Sequence, residues 1–279
     1  MKTISSAIAA LAVCAGHAFA EPSVERGEYL VQGPMGCGNC HTPFGEQGLD
    51  ISRDLGGRVV EDNEHFIAIA ANLTPAGRVS DWSDEELGRA IRECLRPDGS
   101  LIGPPMPCAV YRGLGDEDLA SVVMYLRTVP PVENDPGQST YNIPLPPTYG
   151  PPVDSVTAPE RAVSVEYGAY LASSIAHCVE CHSPIGPKGP QLDAEHLGIG
   201  GYEFVGPWGV VVGPNITSHQ DGLAGFSDSE IKQMITAGLR PDGSAMKPPM
   251  PYPYFARMTA EDLDAVVMYL RAMPPLPDP

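Results

Sequence analysis

One block of sequence is written twice in this chain, and that repeat constrains the fold more than any other feature. "VERGEYL" at 24–30 answers to "VEYGAYL" at 165–171, and "CGNCHTP" at 37–43 to "CVECHSP" at 178–184. "NLT" at 72–74 answers to "NIT" at 215–217, and "WSDEEL" at 82–87 to "FSDSEI" at 226–231. "LRPDGS" recurs at 95–100 and 239–244, "PPMP" at 104–107 and 248–251, and "DEDLASVVMYLR" at 116–127 matches "AEDLDAVVMYLR" at 260–271. The offset drifts only from 141 to 144 residues, so the order and spacing of every piece are kept. Self-similarity of this kind implies one structural unit built twice.

The pieces within a copy are short and helical. Residues 23–32 fit a helix ahead of the first cysteine. Ser83 with Glu86, and Ser227 with Glu230, make capping boxes that start a second helix. Leu87, Ala90, Ile91 and Leu95 follow at helical spacing. A third helix fits 116–127, with Leu119, Val122, Val123 and Leu126 on one face, and Pro130-Pro131 ends it. The stretches 56–71 and 200–214 open on Gly-Gly and carry β-branched residues, which suits a small hairpin in each copy. The class expected is therefore all-α with at most small hairpins. The domain plan is a leader at 1–20, one unit at 21–131, a proline-rich linker at 132–160 and a second unit at 161–279. Proline density makes that linker an extended, stiff connector.

Each copy carries Cys-x-x-Cys-His: Cys37, Cys40 and His41, then Cys178, Cys181 and His182. That pattern is the attachment signal for c-type haem. Two thiols at this spacing reach the two vinyl groups of one porphyrin, and the following histidine gives its imidazole to the iron. A thioredoxin-like dithiol does not require the histidine. A zinc site wants a second Cys/His pair in the same copy. Two covalently bound haem c groups are therefore expected. The sixth ligand should recur in both copies, and no remaining histidine does so: His65, His177, His196 and His219 lack counterparts. Two methionine pairs recur. Met124 and Met268 fall mid-helix, where methionine usually packs. Met106 and Met250 stand between prolines on irregular loops, which suits a thioether held toward iron. With both axial positions filled, the chemistry favoured is electron transfer, with no catalytic residue expected.

Lys2, the apolar run Ile4–Val13 and the small residues around Ala18-Phe19-Ala20 read as a secretory signal peptide cut after Ala20. That run is too short to span a bilayer, and no later stretch in the mature chain is long and apolar enough. The expected location is the periplasm. Of seven cysteines, Cys14 leaves with the leader and four carry haem, so Cys94 and Cys108 remain. Their counterparts are Gly238 and Tyr252. A pair absent together, in an oxidising compartment, suggests a disulfide special to the first copy and a tether on the Met106 loop. Its loop-closure contribution is about 3 kcal/mol. With 17 Lys+Arg against 35 Asp+Glu the net charge is −18, which disfavours nucleic acid and anionic lipid and favours basic protein partners.

Each copy resembles a class I cytochrome c domain. The first helix carries a glycine and an aromatic (Gly27 and Tyr29; Gly168 and Tyr170), followed by Cys-x-x-Cys-His, a "PPMP" loop and a last helix ending in Tyr-Leu-Arg. The Gly-Gly segment, "N-[LI]-T" and "RPDG…PPMP" further resemble cytochrome c subunits of periplasmic alcohol, aldehyde and gluconate dehydrogenases. The resemblance implies crossing of the first and last helices at the glycine. It also implies a dehydrogenase as electron donor, and a downstream cytochrome, oxidase or quinone-linked complex as acceptor. Two other functions use the same residues. A dihaem peroxidase needs one open distal site, which paired "PPMP" loops oppose; a free shuttle of the cytochrome c4 sort would serve a terminal oxidase.

Overall fold

A computed structural model of the chain describes residues 21–46, 48–186 and 193–279. The expected signal peptide lies outside the described residues. The first half begins with helix α1 (Val24–Gln32), capped by the Ser23 hydroxyl accepting from Arg26 N–H at 3.1 Å. Helix α2 (Cys37–His41) follows, then a two-residue pair of strands, β1 (Phe44–Gly45) and β2 (Gly48–Leu49). A hairpin of β3 (Arg58–Asp62) and β4 (Phe66–Ala70) leads to α3 (Asp84–Arg92), α4 (Cys108–Tyr111) and α5 (Asp116–Leu126). Strand β5 (Thr140–Tyr141) lies beyond the repeat.

The second half builds the same series. Helix α6 (Val165–Tyr170) runs on through a π-helical turn over Leu171–Ile175 into α7 (Cys178–Cys181). The hairpin of β6 (Glu203–Gly206) and β7 (Gly209–Val212) follows. Then come α8 (Asp228–Ala237), α9 (Tyr252–Phe255) and α10 (Ala260–Ala272). Both capping boxes form, so the start of α3 and α8 follows from local chemistry: Ser83 and Glu86, and Ser227 and Glu230, satisfy each other's backbone N–H groups. The terminal arginine of each Tyr-Leu-Arg ties the last helix to that start. Arg127 pairs with Asp84 at 3.0 Å and Arg271 with Asp228 at 2.9 Å, and each also donates to the carbonyls of Trp82 or Phe226.

The all-α expectation needs amending. The described residues include three small antiparallel sheets, one of them three-stranded in the order β3-β4-β5. The hairpins fall inside 56–71 and 200–214, but β5 comes from the proline-rich stretch. That stretch is extended, yet it is not a free spacer. It straps the first half: Asn72 Nδ2 donates to the Val132 carbonyl at 2.7 Å, Asn134 Nδ2 to Gly56 at 2.7 Å, and the Ser139 hydroxyl accepts from Ile69 N–H at 2.9 Å. Proline sets the extended backbone, while these partners lie 60 or more residues away and leave no local signature.

The two halves share one apolar core, to which Leu30, Leu114, Val122, Leu171, Ile175 and Val266 contribute fully buried side chains. Across the seam, equivalent residues exchange partners. The Tyr29 hydroxyl of the first half donates to Asp262 at 2.5 Å, and the Tyr170 hydroxyl of the second donates to Asp118 at 2.8 Å. Gly33 faces Arg257 as its counterpart Ser174 faces Gly113. The correspondence is looser beside the Cys-x-x-Cys-His segments: Tyr254, which answers to Val110, lies against Gly36, while Tyr111, one place along, stands edge-on to His177, the counterpart of Gly36, with ring centres 6.0 Å apart. This reciprocity makes the seam approximately two-fold symmetric.

Asp118 anchors that seam. It is 1 % exposed, accepts from Arg26 at 2.8 and 3.1 Å and from Tyr170, and meets Arg161 at 3.3 Å. Burial opposes its ionisation, but the Arg26 hydrogen bond and charge, the Tyr170 hydroxyl and Arg161 outweigh it and hold the carboxyl below its ordinary 3.8. A depressed pKa stabilises the fold above the unfolded value, and that stability is lost as pH falls from there through the folded value. Asp118→Ala should cost about 3 kcal/mol or more by leaving Arg26 buried and unpaired. It should also flatten the acid side of a plot of stability against pH below about 4. Chemical denaturation across pH 2–7 checks both; an unchanged acid limb would sink the assignment.

Candidate haem sites

The Cys-x-x-Cys-His segments form α2 and the α7 turn, so the two cysteines lie one helical turn apart with the histidine next along. Each helix follows a residue in left-handed conformation, Gly36 at φ 57° and His177 at φ 41°. The four thiols are not bonded to one another. Burial pushes the Cys37 and Cys178 thiols up to about 12, so both stay protonated at neutral pH.

The histidines are locked from behind. His41 Nδ1 lies 2.7 Å from the Ala71 carbonyl, and His182 Nδ1 lies 2.7 Å from the Pro214 carbonyl. A carbonyl accepts only, so Nδ1 carries the proton and Nε2 keeps its lone pair for a metal. The "N-[LI]-T" repeat explains the lock. Asn72 Oδ1 accepts from the Thr74 N–H at 2.9 Å and from its hydroxyl at 2.7 Å; Asn215 and Thr217 do the same at 2.8 and 2.7 Å. That turn fixes the carbonyl immediately before each asparagine. Burial lowers both histidines, His41 to about 4, and the carbonyl bond only partly offsets it. Each imidazole is held neutral, the form that ligates.

Met106 and Met250 stand half-buried on irregular loops, against the same core that Cys37 and Cys178 border. "RPDGS" prepares each loop. Ser100 and Ser244 N–H donate to Asp98 and Asp242 at 2.9 Å, Gly99 and Gly243 take φ 82°, and bridges Leu95–Leu101 and Leu239–Ala245 close the turn. The peptide bonds Pro104-Pro105 and Pro248-Pro249 are cis. Met124 and Met268 are 39 % and 40 % exposed. They are solvent-facing helix residues, not the packing residues that their mid-helix position suggests. Cys94 and Cys108 form a disulfide with Cα atoms 5.6 Å apart.

The donor set suits haem c in each half: two free thiols on one turn, an imidazole with Nε2 available, and a thioether loop. A further observation fits the first site. Arg58 Nε is buried without a partner among the described residues, and Arg58 lies close enough to Cys40 to draw its thiol down against burial. A carboxylate of the cofactor is the anion that would satisfy it. Sequence reasoning missed Arg58 and the two locking carbonyls. The signal was present in the Gly-Gly segment and in "N-[LI]-T". The two attachment segments also lie within electrostatic reach, since Glu180 and Cys181 push the Cys40 thiol upward, as burial does. His177, Glu180 and Cys181 cluster tightly enough to suggest a metal, but Cys181 is the second thiol of the Cys-x-x-Cys-His segment, so the cluster belongs to this site.

This arrangement of thiols, imidazole and loop is the kind of donor set with which c-type cytochromes hold haem covalently. Residues 165–274 match the model of the cytochrome c family. Over nearly its whole length the chain is similar to cytochrome c subunits of dehydrogenases. It is 28 % identical to the fructose dehydrogenase cytochrome subunit of Gluconobacter japonicus, over 91 % of this chain and 53 % of that one. It is 28 % identical to the alcohol dehydrogenase (quinone) cytochrome c subunit of Gluconobacter oxydans, over 99 % and 60 %. It is 26 % identical to a diheme cytochrome c-type protein of Cereibacter sphaeroides, over 86 % and 82 %. The chain thus spans little more than half of the two dehydrogenase subunits. No helix among the described residues is long and apolar enough to cross a membrane.

Proposed function

We propose that this chain is a periplasmic dihaem cytochrome c, made of two class I cytochrome c domains at 21–131 and 161–279, joined by the proline-rich segment 132–160. It takes electrons from a dehydrogenase and passes them, haem to haem, to a respiratory acceptor. Cys37 and Cys40, and Cys178 and Cys181, are the thioether positions. His41 with Met106, and His182 with Met250, would hold the two haem irons. The observation that carries the reading is the repeated imidazole lock, 2.7 Å from Nδ1 to a carbonyl in both halves, which leaves two equivalent nitrogen donors beside two equivalent thiol pairs.

Each haem, when bound, supplies a one-electron couple. The chain's own residues set its working conditions. The locked histidines fix ring orientation and basicity. The thioethers favour the reduced iron and raise the potential. The shared core holds the attachment segments close across the seam, so that electrons need not leave the protein between donor and acceptor. The acidic surface steers basic docking faces, with association weakening as salt rises. Mass and haemochrome absorbance of the exported protein should give two covalent haems per chain, and Cys178→Ser/Cys181→Ser should leave one. A wild-type value of one would overturn the dihaem reading.

A further inference from the structure

The halves differ in how their methionine loops are held. In both, the chain leaves α3 or α8 through a residue in left-handed conformation, Cys94 at φ 53° or Gly238 at φ 62°. In both, that residue's carbonyl accepts from the returning strand, Ile102 N–H at 2.8 Å or Met246 N–H at 2.7 Å. In both, the residue two beyond the methionine closes the loop through its N–H, which donates to the Met106 carbonyl from Cys108 at 2.8 Å and to the Met250 carbonyl from Tyr252 at 3.0 Å. Only the brace differs. The first half has the Cys94–Cys108 disulfide, with both residues buried at 0 % and 3 % exposure. The second has the Tyr252 ring laid on Gly238, close enough that a Cβ there would meet it at 2.9 Å.

The first loop has a second brace. The Tyr141 hydroxyl, on β5, donates to the Pro104 carbonyl at 3.0 Å, and a Cβ on Gly103 would meet the Tyr141 ring at 2.6 Å. The counterpart of Gly103 is the exposed Lys247, and the Tyr252 hydroxyl reaches only its carbonyl, at 3.3 Å. Among the described residues no strand adds to the β6–β7 sheet as β5 adds to β3–β4.

We infer that Cys94 and Cys108 are positioning residues for the first axial methionine, and that their bond makes the two haems unequal. The Met106 loop is covalently pinned, so the first iron holds its sixth ligand firmly. The Met250 loop is braced by contacts alone, so the second iron is the one an outside ligand opens first. Covalent closure removes open conformations of the loop, and release of the methionine needs such conformations. The inference rests on His/Met ligation, and its test separates the two.

The test is an imidazole titration of the oxidised, haem-loaded protein, followed by loss of the red thioether–iron absorption. Met106→Ala and Met250→Ala assign each half of that signal. The wild type should titrate in two phases, the second haem first. Cys94→Gly/Cys108→Ala, with glycine chosen for the left-handed position, should shift only the first haem's phase, by roughly tenfold in imidazole concentration. Gly238→Cys/Tyr252→Cys, once oxidised, should shift the second haem's phase the opposite way. This second variant adds a bond, so it keeps the test decisive if removal of the native disulfide prevents folding. If the single methionine variants each remove half the absorption but neither cysteine variant moves its phase, the disulfide has no positioning role and the inference falls. If the methionine variants leave the absorption intact, the ligation reading itself has failed.

Discussion

Met106→Ala should abolish the thioether–iron absorption of one haem and leave the other haem's spectrum and potential in place; Met250→Ala should do the converse. The expectation follows from position. Both methionines stand on loops shaped by "RPDGS" turns and flanked by proline, half-buried against the core that the attachment helices border. Removing a soft sixth ligand destabilises the reduced iron, so the affected haem's potential should fall by on the order of 0.1 V. It should also bind carbon monoxide or cyanide, which the unchanged haem should resist. Met124→Leu and Met268→Leu supply the contrast. Both side chains are about two-fifths exposed on the outer faces of α5 and α10, so leucine there should change neither absorption nor potential. Spectra and potentiometric titration of the four variants decide the matter. If the helix methionines carry the band, the last third of each half has been aligned wrongly. If neither pair does, the haems are not His/Met and the argument against ligand-binding chemistry goes with it.

How much of this was legible beforehand divides by the range of the interaction. Features set within a few residues were readable: the Ser83–Glu86 and Ser227–Glu230 boxes, the Gly-Gly hairpins, and the thiol pairs followed by histidine. The repeat did the rest, because a residue with a role should appear at both addresses. That test left two methionine pairs, and the proline-flanked loops favoured Met106 and Met250 over Met124 and Met268. The test also passed over the carbonyls of Ala71 and Pro214, since a backbone acceptor has no side chain to match. Their signature was the Asn-x-Thr that follows, whose side chains build the turn. Long-range pairings left less trace. Tyr29 and Tyr170 were visible as an aligned pair, but nothing local shows that each bonds the other half's aspartate. Proline content announced an extended 132–160 without revealing that Asn72, Asn134 and Tyr141 tie it down as a strap. The seam and the strap are the features that turn two similar units into one packed body.

A stability effect at least as large as that of losing Asp118 should come from the smallest side chains. Helix α1 crosses α5 at Gly27, and α6 crosses α10 at Gly168. A Cβ on Gly27 would stand 1.9 Å from the Ser121 carbonyl oxygen, and one on Gly168 would stand 1.9 Å from the Ala265 carbonyl oxygen. Both obstacles are backbone, which no rotamer change can move, so the helices would have to part. Parting them opens the core around Leu30 and Val122, or around Leu171 and Val266, all of them 0–2 % exposed. It also strains the cap at Ser23, whose N–H donates to the Ser121 hydroxyl at 3.1 Å. Gly27→Ala and Gly168→Ala should therefore each cost about 3 kcal/mol or more, well above the cost of alanine in an open helix, where it stabilises relative to glycine. Because the halves share one core, either substitution should lower the thermal midpoint of the whole protein in one transition. Scanning calorimetry on the haem-loaded protein checks this, with Gly99→Ala, at a turn with open space around it, as a milder comparison limited to its left-handed φ of 82°. A glycine variant at either crossing that melts like the wild type would show that the helices do not meet at these residues. The close crossing would then not be what brings the attachment helix and the methionine loop of each half to the same core.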